Sequence, residues 1–167
     1  TGPFAGEDGK YVTSRNLRER LMREAVINVA VRVEETDATD VFRVVGRGEL
    51  QMGILVENMR REGFELMLSS PEVVTQKIDG VLHEPIERLY VDCPKDCLGP
   101  VTELLGQRKA KLEDMAVGES RVRLVYCIPT RGLIGFHSEF LTETRGTGIA
   151  NATFEGWTPW QGNIPKR

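Results

Sequence analysis

The stretch Pro129-Thr130-Arg131-Gly132-Leu133-Ile134-Gly135-Phe136-His137-Ser138-Glu139-Phe140-Leu141, running on to Thr144-Arg145-Gly146-Thr147-Gly148, decides the reading of the chain. A strand ends at Ile128 and a turn carries a cation. Apolar residues at Leu133, Ile134, Phe136, Phe140 and Leu141 then follow a helical period, and glycines lead into another strand. A fainter copy lies upstream. Val44-Val45-Gly46-Arg47-Gly48-Glu49-Leu50 opens a helix through Ile54, Leu55 and Met59, and Gly63 precedes the strand-like Phe64-Glu65-Leu66-Met67-Leu68. One architectural unit used twice is the expectation.

Outward from the first stretch, the pattern predicts a strand over Ile86–Cys93, a helix with Leu98, Val101, Leu104 and Leu105, and a strand from Ala110 to Val117. Arg121–Ile128 alternates with Val122, Leu124, Tyr126 and Ile128 on one face, and Thr147–Phe154 closes the block. The order β-α-β-β-α-β is the split-βαβ or ferredoxin-like pattern. Around the second stretch, Thr13 or Ser14 caps a helix that buries Leu17, Leu21 and Ala25 and shows Arg15, Arg18, Arg20 and Arg23. Val29, Val31 and Val33 alternate as a strand, Val41–Val45 returns, and the helix with Leu50, Ile54, Leu55 and Met59 follows. This block reads α-β-β-α-β, the same order without its opening strand, and helix starts recur at about 34 residues in both blocks.

The expected fold class is therefore α+β, with two ferredoxin-like domains in tandem over residues 1–78 and 79–156. Residues 157–167 are read as the start of a linker. Val73–Ile78 is read as extended and Asp79-Gly80 as the break. A missing interior strand leaves unpaired backbone edges, so the natural protein is expected to continue upstream of Thr1. An isolated fragment is expected to fill the slot by strand exchange or as a dimer.

The 167 residues carry 28% charged side chains and a net charge of -3. That balance excludes a protein that binds nucleic acid over its whole surface and leaves local basic faces. No apolar run approaches the roughly 20 residues of a bilayer span, so no membrane segment is expected. There is no secretory signal pattern either. Cys93, Cys97 and Cys127 form an odd set, read as free thiols in a reducing compartment. Cys93 and Cys97 lack a second ligand pair at zinc spacing, so no metal site is assigned. Gly46-Arg47-Gly48 is followed by Glu49 and Leu50 where a phosphate loop has Lys-Ser/Thr, so it is read as strand-to-helix packing. No catalytic or cofactor-binding residue is assigned in this chain.

Val45-Gly46-Arg47-Gly48-Glu49-Leu50-Gln51-Met52, Glu57-Asn58-Met59-Arg60-Arg61-Glu62-Gly63-Phe64-Glu65 and Ile128-Pro129-Thr130-Arg131-Gly132-Leu133-Ile134-Gly135-Phe136 together resemble the bacterial-type TypA/BipA translational GTPases, relatives of elongation factor G. The resemblance covers essentially the whole chain. It implies that the two modules correspond to domains III and V, with a GTPase domain and a β-barrel upstream and a family-specific domain downstream. It further implies GTP and Mg for the full-length parent but neither in this segment, a cytoplasmic, ribosome-associated location, and roles in translation, ribosome assembly or stress response. Contacts with rRNA and ribosomal proteins are expected from Arg15, Arg18, Arg47, Arg108, Lys109, Lys111, Arg131, His137 and Arg145. His137 departs from the family pattern, which has arginine there. Arg131 and Arg145 have a competing reading as partners of Glu139 or Glu143.

Two rival readings stand beside this one. Tandem ferredoxin-like domains also build metabolite-binding regulatory modules, and Gly146-Thr147-Gly148 would line such a site. An RNA-recognition sheet would need stacking aromatics, for which only Tyr90 and Tyr126 offer themselves.

Overall fold

A computed structural model describes residues 10–165; most of the loop expected over Thr1–Tyr11 lies outside the described residues. The chain divides into two compact units, Thr1–Ser70 and Pro71–Arg167. The expected division after residue 78 is shifted because residues 76–78 pair with the strand that follows them.

In the first unit, α1 spans Ser14–Ile27 and α2 spans Glu49–Arg61, flanking the hairpin of β1 (Arg32–Glu35) and β2 (Phe42–Val45). Thr13 caps α1 with its hydroxyl, which accepts from the Asn16 N–H at 3.3 Å. Leu21, Val31, Leu55 and Met59 form the core, with Leu17, Val33, Phe42, Val44, Met52 and Phe64 against it. Three expectations change here. Val29 lies before the strand and is 96% exposed, because β1 begins only at Arg32. Leu50 and Ile54 are 80% and 54% exposed, because the buried stripe of α2 runs through Met52, Leu55 and Met59 at the i, i+3, i+7 spacing. Phe64–Leu68 does not form a strand. Phe64 alone makes a parallel bridge to Tyr11, with the two rings 4.8 Å apart.

In the second unit, β3 (Gln76–Ile78), β4 (Val81–Pro94), α3 (Leu98–Gln107), β5 (Lys111–Val117), β6 (Arg121–Pro129), α4 (Phe136–Glu143) and β7 (Ile149–Pro159) follow in order. β4 lies between β7 and β6, and β6 pairs with β5, all antiparallel; β3 forms a hairpin with the start of β4. This is the ferredoxin-like arrangement, in which each βαβ half brings its helix to the same face of the sheet. Leu89, Val91 and Cys93 of β4 and Val122, Leu124, Tyr126 and Ile128 of β6 meet Val101, Leu104 and Leu105 of α3 and Phe136 and Phe140 of α4. Each such large apolar side chain contributes about 1.5–3 kcal/mol by leaving water.

Several boundaries move. β4 and β7 are longer than expected, and residues 157–159, read as linker, belong to β7. Only Gln76–Ile78 of the extended segment Val73–Ile78 is strand. Leu133 and Ile134 do not belong to α4: Thr130–Leu133 is a 3₁₀ turn and Gly135 takes a left-handed conformation at φ 70° before the helix begins at Phe136. Helix starts at Ser14 and Glu49 in one unit and Leu98 and Phe136 in the other do not keep the equal spacing.

Gly148 lets β7 start against α4. A Cβ there would stand 2.5 Å from Phe140 Cζ and 2.6 Å from Thr144 Oγ1, and both residues are fully buried. The Gly146-Thr147-Gly148 segment is thus occupied by packing, with the Thr147 hydroxyl donating to the Thr144 carbonyl at 2.6 Å. Gly148→Ala is expected to destabilise the second unit by about 1–3 kcal/mol through overpacking. Urea unfolding of the 167-residue chain measures this, and an unchanged midpoint would mean that Phe140 moves aside freely.

Candidate nucleic-acid interface

The nine expected contact residues separate into two groups by what surrounds them. Arg108 and Arg131 are absorbed by the fold. Arg108 caps the end of α3, and its side chain is 13% exposed. It donates to the carbonyls of Gly132 and Ile134 at 2.7 and 2.8 Å, pairs with Glu139 at 3.2 Å, and lies 5.8 Å from the centre of the Phe136 ring. The guanidinium therefore holds the turn into α4. Arg131 is 14% exposed and donates through Nε and Nη2 to Glu84, a carboxylate 1% exposed. Its partner is thus neither Glu139 nor Glu143.

The others face water. Arg15 pairs with Glu19 at 3.1 Å and Arg18 with Glu35 at 2.6 Å, and both are exposed on α1. Arg47 is exposed, and its backbone N–H donates to Gln51 at 2.9 Å, closing the turn into α2. Among the described residues, the side chains of Arg47, Lys109, Lys111 and His137 enter no ion pair. Lys109 and Lys111 flank Ala110 between α3 and β5, and His137 stands in the first turn of α4. Arg145 is 81% exposed, with a 3.6 Å approach to Asp96 in place of the expected Glu139 or Glu143.

Lys109 and Arg145 share a backbone feature. Each follows the C-cap of its helix, Arg108 for α3 and Thr144 for α4, and each takes positive φ, 63° and 53°. Glycine adopts that conformation without cost, whereas another L-residue loses about 1–2 kcal/mol there. A cation near the negative end of a helix regains about 0.3–1 kcal/mol. The balance leaves both positions less stable than glycine would be. No sequence signal marks them, because left-handed residues at helix ends are read from glycine or asparagine.

The helix-free face of the sheet is a different environment. Arg88 of β4 pairs with Glu113 at 3.3 Å and Glu155 at 3.1 Å. Asp92 receives Arg121 and Arg123. Tyr90 is 46% exposed, but Tyr126 is buried under the helices, where loss of solvation pushes its hydroxyl pKa up. Acid-rich pairing with one exposed tyrosine does not make a base-stacking sheet. Burial also raises the pKa of all three thiols, which keeps them protonated and poor nucleophiles. Among the described residues, no three His, Cys, Asp or Glu side chains gather as a metal site, and no helix is long and apolar enough to cross a membrane.

Residues 81–167 match the family described as elongation factor G C-terminus. The chain belongs to that family. It is 51% identical over 160 residues to the large ribosomal subunit assembly factor BipA of Bacillus subtilis, covering 95% of the chain. It is 54% identical over 155 residues to the protein of that name from Salmonella typhimurium, covering 92%, and 52% identical over 163 residues to that from Haemophilus influenzae, covering 97%. The chain spans 26% of the length of these curated relatives. The resemblance to BipA read from the glycine-arginine motifs thus extends along nearly all of the sequence.

Asp92 gives the sheet an acid limit. The hydrogen bond from Arg121, followed by that from Arg123, holds its carboxyl below the usual range against the opposing effect of burial. A depressed folded pKa gives stability that is complete above the unfolded value of about 3.9 and lost as pH falls through the folded value. Asp92→Asn is expected to flatten the acid limb of the stability-pH curve below about pH 5, measured by denaturant unfolding. An unaltered acid limb would remove Asp92 from this account.

Proposed function

We propose that this chain is a non-catalytic, ribosome-contacting segment of a BipA-type GTPase, equivalent to domains III and V of the elongation factor G architecture. The observation that carries the reading is the 51–54% identity to large ribosomal subunit assembly factors along nearly the whole chain. In the full-length protein, GTP and Mg belong to a nucleotide-binding domain outside these residues, and the two units here dock the particle and relay the nucleotide state. Cytoplasmic residence follows from a ribosomal partner, and a role in stress response would follow from control of ribosome assembly.

The contact surface rests on the cations that the fold leaves exposed. Lys109 and Lys111 form one exposed corner at the start of β5, and Arg108 ties the end of α3 to the turn before α4, whose first turn carries the exposed His137. Arg145 marks another corner beside Asp96, and Arg15, Arg18 and Arg47 offer sites on the first unit. The left-handed backbone at Lys109 and Arg145 supports their selection, since strained conformations persist where a side chain is needed in place.

Full-length protein carrying Lys109→Gln, Lys111→Gln and Arg145→Gln should bind ribosomal particles more weakly. The slope of log affinity against log salt should fall by roughly one unit for each phosphate contact removed. Co-sedimentation across a salt titration measures this, with thermal unfolding as the control for fold. An unchanged slope removes these three residues from the surface.

A further inference from the structure

The end of β7 carries a device that the ribosomal reading does not use. The described residues beyond Pro159, 160–165, form no helix or strand, yet Trp160–Gly162 is fastened at four points. The Trp160 N–H donates to the Leu82 carbonyl at 2.9 Å, one step past the last β4–β7 pair. The Trp160 ring lies on the Arg131 guanidinium, 3.9 Å from carbon to ring centre. The Gln161 N–H donates to Glu84 Oε1 at 2.9 Å, and Arg131 Nη2 donates to the Gly162 carbonyl. Three of the four fastenings therefore run through one ion pair.

That pair is built for the task. Glu84 on β4 is 1% exposed and takes both Nε and Nη2 of Arg131. A buried carboxylate with one partner would be costly. Here Glu84 Oε1 also accepts from the Gln161 amide, and Arg131 Nη2 also donates to the Gly162 carbonyl. A fork-shaped cation can serve both partners at once, and its flat face can stack on an indole. A nucleic-acid phosphate would have to compete with all of these for the same guanidinium.

We propose that Glu84 and Arg131 form a latch for the strap Trp160–Gly162, so that the strap opens and closes on the second unit as a local event. Arg131 is then a positioning residue for the chain beyond β7 and no part of a phosphate-binding surface. The sheet and its helices do not need to unfold for the strap to lift, because Leu89, Leu124, Phe140 and the rest of the core lie on other elements.

Amide hydrogen exchange on the 167-residue chain tests this at the Trp160 and Gln161 amides, with the β4 and β6 amides as internal reference. Arg131→Met alone strands a buried carboxylate and could unfold the unit. The informative variants are therefore Trp160→Ala, which keeps the ion pair, and the double change Glu84→Leu with Arg131→Met, which replaces it by apolar groups. Apolar replacement of a buried ion pair is commonly tolerated. In both variants exchange at Trp160 and Gln161 should rise about tenfold or more while the β4 and β6 core amides stay protected. Two results would overturn the latch: unchanged exchange at Trp160 and Gln161 in the double variant, or a rise in Trp160→Ala that spreads equally to β4 and β6.

Discussion

A guanidinium withdrawn from water must find acceptors for its five N–H groups, and that demand organises much of this chain. Arg20, 11% exposed, meets it with Glu24 on its own helix and Glu62 at the end of α2, 42 residues away in sequence. Arg108 meets it with carbonyls 24 and 26 residues away, and Arg131 with a carboxylate 47 residues away. Each of the three ties together residues distant in sequence. Removing Arg131 alone leaves Glu84 buried and uncompensated, at a cost of about 3–5 kcal/mol. Glu62 is more exposed, and its carboxyl pKa is held down chiefly by its hydrogen bond from Arg20.

Local periodicity explains what the sequence made legible. Val122, Leu124, Tyr126 and Ile128 alternate because one face of β6 meets two helices, and all four are buried as the period-two pattern predicts. The β-α-β-β-α-β order followed from such stretches together with the turn residues between them. Periodicity failed where burial depends on what lies opposite. Leu50 and Ile54 fit the helical repeat of α2 as well as Leu55 does, yet the helix packs its Met52–Leu55–Met59 side. Phe64–Leu68 has the composition of a strand, but among the described residues it pairs at Phe64 alone, with Tyr11. A strand needs a neighbour, and composition does not supply one.

The candidate interface was less legible, for a related reason. A charge pattern gives the cations but not their acceptors, and acceptors distant in sequence are invisible to it. Glu84 lies in the run Val81-Leu82-His83-Glu84-Pro85, which offers no sign of a buried carboxylate. Only the fold brings it to Arg131. The same limit applies to Lys109 and Arg145, whose left-handed backbone is set by how α3 and α4 end and not by any glycine signal.

Arginine and lysine divide this work along the lines of their chemistry. A planar fork with fixed donor directions suits sites where several acceptors converge, as at Arg108 and Arg131, while an ammonium on a flexible stem is strongly hydrated and costly to bury. The lysines flanking Ala110 accordingly stay on the surface, beside the arginine that the fold takes inward. In a chain with a net charge of -3, scaffold arginines and surface lysines cannot exchange roles without stranding a carboxylate or covering a hydrated charge. The count of cations therefore says little about nucleic-acid contact. What matters is which of them the fold has left without an internal acceptor.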